Sequence, residues 1–556
     1  MKWRKVVAMS LTAAMMAASL AGCGSETPAA DTATTGGTTA ETTAAAETSA
    51  ETAAAADSEE CTITVSIQTG TGVEEGWEAV AAAYEELNPN VKIVLDLKAT
   101  DGYDQWVQNV FASTDTTSVD IVNINLAGDA KTGKSINYND YIDNDSPYSD
   151  GTWKEQFEYG KQVINMVDNS FDALSLDSVQ VLWLYNQDIF DEVGISAPTT
   201  WSELVDACEK IEAAGYQPIA MPGDYNSFYA GTMGWLAQIY ADQTTRSMIE
   251  VIKAQPGDYC YDPDIDGYFE YDPTDCFNDD SDKVTQNPVR AFAAIKDGTY
   301  AGDSEGMKTV WESFAEVFPK YAGNDAMFGT DADGAKALFY QGKAAMMVNG
   351  GWGITQFMND MKALEAGEEV KDSAGNAISD MKAFTLGTFN MPSMEGEGIE
   401  AKARTIEVAN GFLGCVSKDQ AHNDQVVDFL MYYSSEEGMS VYLNAAIAAG
   451  ACPSGASLVY GVEYPEEIQN AFAGLTFIGN AQKGFNNTLA RGIGESAETF
   501  RNFYDYSYQY LTGEISLDEW AADHQQNIMD NLEKAMAEKG VSMNDLENPA
   551  NEPTGE

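Results

Sequence analysis

The sequence predicts an α/β protein built as two lobes, and three observations predict it. Apolar strand-like runs alternate with amphipathic helical runs from Cys61 onward. The alternation begins a second time near Ser178. The chain of 556 residues is long enough for two or three domains' worth of core.

The elements follow in order. At the N-terminus Lys2, Arg4 and Lys5 precede an apolar stretch from Val6 to Leu20, broken only by Ser10, Thr12 and Ser19. A positive segment followed by an apolar run too short to span a bilayer reads as an export signal over residues 1–22. Leu20-Ala21-Gly22-Cys23 resembles the bacterial lipobox, which implies cleavage before Cys23 and acylation of its thiol and amine. Two or three acyl chains anchor a protein stably where one is marginal. Residues 23–60 are Ala, Thr, Glu, Ser and Gly in the main, with no aromatic, Ile, Leu or Val. Such a segment buries too little apolar surface to offset its ordering entropy, so it reads as a disordered tether.

"CTITVSIQTGTG" then alternates and β-branches as a strand ending in a Thr/Gly turn. A helix follows, with Trp77, Val80, Ala81, Tyr84 and Leu87 on one face and Asn88-Pro89 as its stop. "VKIVLDL" is a strand, Trp106, Val107, Val110 and Phe111 mark a helix, and "VDIVNIN" is another strand. That order predicts a parallel sheet with ligands at the carboxyl ends of its strands. The second unit opens with the strand-like "VQVLWLYNQDIF". In the helix "TTWSELVDACEKIEAAG", Thr200 and Glu203 make a capping box and Trp201, Leu204, Val205, Cys208 and Ile211 form the apolar face. "YQPIAMPG" returns as a strand.

Composition narrows the partners. With 88 acidic and 30 basic residues, net charge −58, the chain lacks the Lys and Arg that phosphate backbones require, so nucleic acid is excluded. After the signal no apolar run is long enough to cross a membrane. Apart from Cys23 the cysteines are Cys61, Cys208, Cys260, Cys276, Cys415 and Cys452, without a CxxC pair. Cys208 and Cys415 sit in apolar patterns and read as core. Cys260 and Cys276 flank a loop of fifteen residues, where an export context permits a disulfide.

Several segments together resemble the extracellular solute-binding proteins of ABC importers, the group that includes maltose-binding protein. They are "LYNQDIFDEVGISAPTTWSELVDACEKI", "LFYQGKAAMMVNGGWGI", "VANGFLGCVSKDQAHNDQVVDFLMYYSSEEGMSVYL" and "YLTGEISLDEWAADHQQNIMDNL", in that order from about residue 61 to 540. The resemblance implies a periplasmic-binding-protein-like fold of type II, its lobes joined by a hinge of several strands. One lobe would hold 61–177 plus 408–460. The other would hold 178–407 plus 461–545, with an acidic insertion at 250–290 and a flexible tail at 546–556. It implies an exported, lipid-anchored monomer that faces the outside, captures a carbohydrate, performs no chemistry and hands its cargo to a membrane permease.

Carried over from that family, the solute site would draw on Thr69, Gly70 and Thr71 after the first strand, and on Asn125 and Asp129 after "VDIVNIN". It would also draw on Tyr225, Asn226, Phe228 and Tyr229 in "GDYNSFY", on Asn486 and Arg491 after "NAQKG", and above all on Trp352 in "NGGWGI". Aromatic rings against C–H faces, with amides and carboxylates on hydroxyls, are the chemistry of sugar recognition. The insertion departs from the family. Asp262, Asp264, Asp266 and Gly267 have the spacing of a calcium loop, in which alternating carboxylates converge on a hard cation. Pro273 stands where the closing Glu would be, so Asp272 or Asp275 would have to replace it. Otherwise the loop is a solvated acidic surface, and no other cofactor is implied.

Two motif matches fail on context. Gly128 to Ser135 satisfies the phosphate-loop pattern, but "INYNDYIDNDSPYSDG" after it carries no helical stripe. Gly302-Asp303-Ser304-Glu305-Gly306 matches the hydrolase elbow, but a turn rather than a buried strand precedes it. Other readings stay open: an exported glycoside-acting enzyme, a binding protein for a non-sugar solute, and a surface adhesion module.

Overall fold

The computed structural model describes residues 60–99, 102–113, 118–124, 133–165, 170–473, 475–476, 478–485, 488–494 and 496–555. The expected export signal, the Cys23 expected to carry lipid and the expected tether up to residue 59 lie outside these, as do Asn125, Asp129, Asn486 and the first five residues of the phosphate-loop match.

Strand β1 (Cys61–Gln68) runs parallel to β2 (Val91–Lys98) and β3 (Ile121–Asn123), with Val65 opposite both Leu95 and Ile121. The helices Val73–Leu87 and Tyr103–Ala112 make the crossovers that parallel strands require. The helix Glu436–Ala448 lies close against Val73–Leu87, because Gly76 leaves room for it. A Cβ there would meet the Tyr442 ring at 2.7 Å. Beneath the sheet Ile63, Val65, Trp77, Tyr84, Val426 and Leu430 form the core.

The second sheet is built on β4 (Asp177–Asn186), with β5 (Gln217–Ile219), β6 (Ala344–Gly350) and β7 (Leu386–Phe389) in the order β5-β6-β4-β7. β5 and β6 are parallel, while β4 is antiparallel to both of its neighbours. The strand-like "VQVLWLYNQDIF" stops at Asn186, whose Oδ1 accepts the Ile189 N–H and starts the helix Gln187–Val193. The helix Trp201–Ala213 forms with its capping box, burying Trp201, Leu204, Ala207, Cys208 and Ile211, with Val205 at the margin. Trp183, Phe228, Trp311, Phe314 and Trp520 fill the core of this lobe.

Three stretches run side by side between the sheets. The first four residues of β4 pair with β8 (Glu407–Asn410), which leads into β9 (Leu413–Cys415), the antiparallel edge beside β3. Residues 456–458 close the set, with Ser178 N–H donating to the Ala456 carbonyl (3.2 Å) and Leu458 N–H to that of Leu176 (2.9 Å).

The acidic insertion is an arch closed at its base, where Ala254 N–H donates to the Thr285 carbonyl (2.7 Å) and Asn287 N–H to that of Ile252 (2.8 Å). Arg290 holds one limb through a fork to Asp258, at 2.6 and 2.8 Å. Arg404 holds the other, donating to Asp279 Oδ2 (2.9 Å), to the Cys276 carbonyl (3.2 Å) and to Asp242 Oδ2 (3.0 Å) on the helix Thr232–Thr245.

The residues behind two expectations for this arch, the disulfide and the calcium loop, are arranged as follows in the structure. Cys260 and Cys276 are both free thiols: Cys260 is buried near Asp258, while Arg404 pins the Cys276 backbone elsewhere. The calcium spacing does not gather its carboxylates. Asp262 Oδ1 accepts the Asp264 N–H (2.8 Å), while Asp266 accepts from Asp262 N–H (2.9 Å) and Thr285 N–H (2.7 Å). Backbone amides answer these groups, and among the described residues no cluster of three His, Cys, Asp or Glu is arranged to hold a metal.

Candidate functional site

Two cavities open beside the three crossing stretches and share Ile124 and Phe412 in their walls. The smaller, about 270 Å³, takes Gln68 and Thr71 from the end of β1, Asn123 from the end of β3, and Asp177, Tyr442 and Tyr464. Its position at the carboxyl ends of parallel strands is the one the topology predicts. Asp177 begins β4, and its Oδ1 accepts the Ser178 N–H at 2.9 Å. Burial pushes its carboxyl up to about 7.

The larger cavity, about 400 Å³, is polar in a different way, with Lys161, Asp279, Glu407, Asn480, Gln482 and Lys483 in its walls. Lys161 is paired with Glu407 and Lys483 with Asp280. Burial lowers Lys483 to about 8 against the pull of Asp279. Burial also raises Glu407, with Lys161 opposing it.

Trp352 opens the helix Trp352–Ala366 immediately after β6, and sits edge-on to Trp235 with ring centres 6.1 Å apart. Both indoles are half-buried. The turn before Trp352 is held against the crossing, where Gly351 N–H donates to the Gln180 carbonyl at 2.8 Å. A Cβ on Gly351 would strike the Ser454 carbonyl, and Ser454 lines the smaller cavity. Only a glycine lets the tryptophan approach so closely.

A second aromatic group stands on the helices Tyr225–Ala230 and Ala497–Leu511. The Arg501 guanidinium lies 3.9 Å over the Tyr225 ring, and Tyr504 meets that ring edge-on at 5.4 Å. Tyr508 lies near-parallel to Tyr504, with centres 6.1 Å apart. Asn226 is exposed beside them, its N–H donating to Asp224 Oδ2 at 3.2 Å.

The other residues singled out by sequence fall elsewhere. Phe228 and Tyr229 are 0 % and 4 % exposed and belong to the core. Tyr229 stacks on Phe500 (3.6 Å) and lies 4.3 Å beneath Arg491, which donates to its backbone carbonyl at 2.7 Å. Thr71 lines the smaller cavity, while Thr69 and Gly70 shape the turn before it through Thr69 N–H to Lys98 O (2.8 Å) and Val73 N–H to Gly70 O (3.1 Å).

Sequence reasoning passed over Asp177, Tyr442 and Tyr464, which no local pattern marks. It also passed over Trp235, Arg501 and Tyr504. The last two were readable, since Tyr504 and Tyr508 share one face of an amphipathic helix with Arg501 one turn earlier.

Two α/β lobes on three crossing stretches, with cavities at the crossing, make a two-lobed architecture whose halves can move about a hinge. Residues 70–259 match the family model described as bacterial extracellular solute-binding protein. The fold is similar to that of apo RafE from Streptococcus pneumoniae (TM-score 0.53, 16% identity, 85% of this chain and 98% of that one). It is similar to a family 1 extracellular solute-binding protein from Bifidobacterium longum subsp. infantis (TM-score 0.51, 16% identity, 85% and 100%). It is also similar to the cyclic alpha-maltosyl-1,6-maltose binding protein from Arthrobacter globiformis (TM-score 0.52, 14% identity, 85% and 99%). Residues 70–259 of the chain are thus similar to that family, and the fold over most of its length is that of the solved solute-binding proteins.

Proposed function

We propose that the chain captures a carbohydrate between its lobes and delivers it to an ABC permease, held at the outer face of the membrane by a lipid on Cys23. The observation that supports this most is the half-buried Trp352–Trp235 pair, which follows Gly351 where that glycine packs on Ser454 in the wall of the smaller cavity. Half-exposed indoles near amide and carboxylate groups suit the C–H faces and hydroxyls of a sugar. Tyr225, Arg501 and Tyr504 extend the same chemistry along the second lobe. RafE has been solved in complex with raffinose, and the Arthrobacter protein is a cyclic maltosyl-maltose binder. The protein's role is closure around the solute, without bond making or breaking.

Titration with raffinose, malto-oligosaccharides and monosaccharides, followed by tryptophan fluorescence and thermal shift, tests the reading. A saturable response to one carbohydrate class is expected, and a ligand at a hundred times its Kd adds about 2.7 kcal/mol of stability. Trp352→Ala should weaken that binding by about 2 kcal/mol, in the range of an interface hot spot. Full affinity in a folded Trp352→Ala protein overturns the site, and silence with every carbohydrate overturns the ligand class.

A further inference from the structure

At the end of β1 remote from the cavities, Cys61 Sγ lies 3.7 Å from His422 Nδ1. The other ring nitrogen, Nε2, lies 2.7 Å from Asp120 Oδ1. Asp120 is buried, accepts the Thr64 N–H at Oδ2 (2.8 Å) and is ion-paired with Lys418 at 2.5 Å. With Asp120 Oδ1 against Nε2, the neutral ring carries its hydrogen on Nε2 and turns the Nδ1 lone pair to the thiol. His422 is placed by the first turn of the helix Gln420–Tyr433, where Asp419 Oδ1 accepts its backbone N–H (3.1 Å). Thiol, imidazole and carboxylate thus stand in the order of an activated nucleophile, its base and the group that orients the base.

We propose that Cys61 is a base-assisted thiol that exchanges with low-molecular-weight disulfides, forming a mixed disulfide at the start of the first strand. His422 Nδ1 takes the thiol proton as the sulfur attacks one sulfur of the disulfide. The S–S bond of the reagent breaks, a new S–S bond forms to Cys61, and the departing thiolate leaves as a thiol with the proton returned by the imidazolium. One disulfide is consumed and one is made, so no further oxidant is involved. The charges around the sulfur require this assistance. Burial, Asp120 and Asp419 all disfavour a free thiolate, and only Lys418 favours it. The other half-buried thiols provide internal controls: Cys452 Sγ takes a hydrogen bond from Asn359 (3.2 Å), and among the described residues neither it nor Cys276 has a histidine partner.

The test treats the native protein with oxidised glutathione and maps each site by mass spectrometry over time. At pH 7.5 Cys61 should react at least tenfold faster than Cys276 and Cys452, and His422→Gln should slow Cys61 by about tenfold or more, the scale of a lost general base. Unchanged rates at Cys276 and Cys452 would show that the variant has kept its fold. The wild type supplies a second measurement: its Cys61 rate should level off at a lower pH than the rates of the control thiols, because a base rather than free thiolate carries the reaction. The control thiols should still be rising above pH 8. Equal rates at the three sites, an unaltered Cys61 rate in a folded His422→Gln protein, or a Cys61 profile parallel to the controls would each overturn the proposal.

Discussion

The two cavities beside the crossing handle charge in opposite ways. In the smaller one, among the described residues, no lysine or arginine pairs with Asp177, and rings of Tyr442 and Tyr464 share its walls. In the larger one both wall acids have a cation, Glu407 with Lys161 and Asp279 with Arg404, and the wall's Lys483 is paired with Asp280 behind it. A desolvated carboxylate without a cation is a group waiting for a hydroxyl or amine. Buried pairs that satisfy one another instead fix the position of the segments carrying them. The smaller cavity presents a buried carboxyl without a cation, and the larger one has the chemistry of a joint among the acidic arch, β8 and the Lys161 segment.

The most severe way to break the comparison is to remove the cation from the joint. Arg404 is 1 % exposed, and although burial alone would lower it, Asp242 and Asp279 hold it above the ordinary guanidinium range. Arg404→Leu strands the buried Asp279 and leaves Asp242 with Arg246 alone, and should cost about 3–5 kcal/mol in urea unfolding. A loss below 1 kcal/mol would mean that the pairs do not hold the arch.

Acid should act on the protein at a third place, away from both cavities. His524 is fully buried, stacked on Trp520 at 4.9 Å, with its ring nitrogens bonded to Tyr506 Oη and the Leu489 carbonyl, both at 2.8 Å. Burial lowers it to about 4. The unfolded chain therefore binds a proton that the folded one refuses, so stability is full above about pH 6.5 and falls as pH drops toward 4, by about 3 kcal/mol. His524→Gln should flatten that part of a urea-midpoint profile, and an unchanged slope would place the acid sensitivity elsewhere.

Asp177 should act with the opposite sign. Its carboxyl is raised, so its contribution to stability is complete below about pH 4 and is lost as pH rises through 7. Asp177→Asn should melt higher than the wild type at pH 8 and converge with it near pH 4. Equal melting temperatures at pH 8 would show that the carboxylate is not desolvated and would weaken the contrast between the cavities.

How much of this was legible in the sequence depended on the range of the interactions. The parallel β1, β2 and β3 and the capped helix Trp201–Ala213 are written in local periodicity and cap residues, and they form as read. The antiparallel pairing of β4 with β6 and β7 joins residues some two hundred positions apart, which no local window contains. Asp177 shows the same limit, since it is enclosed only when three separate stretches meet. Trp235 was hidden differently, on a helix apolar around most of its circumference, where one half-exposed indole does not stand out. In the arch the Asp spacing was real, yet nearby amides took up the carboxylates, a choice that spacing alone does not encode.

One consequence of the crossing is mechanical. β4 belongs to one neighbour over residues 177–180 and to others from Val181 on, so it works as a torsion bar clamped at two ends. Rotation of one lobe against the other must be taken up near Gln180–Val181, at Gly411 with its φ of 67°, and around 454–457. The proposed closure on a solute is therefore coupled to a few backbone amides at the crossing. Deuterium uptake at Ser178, Val181 and Leu458 becomes a gauge of how tightly the bar is wound.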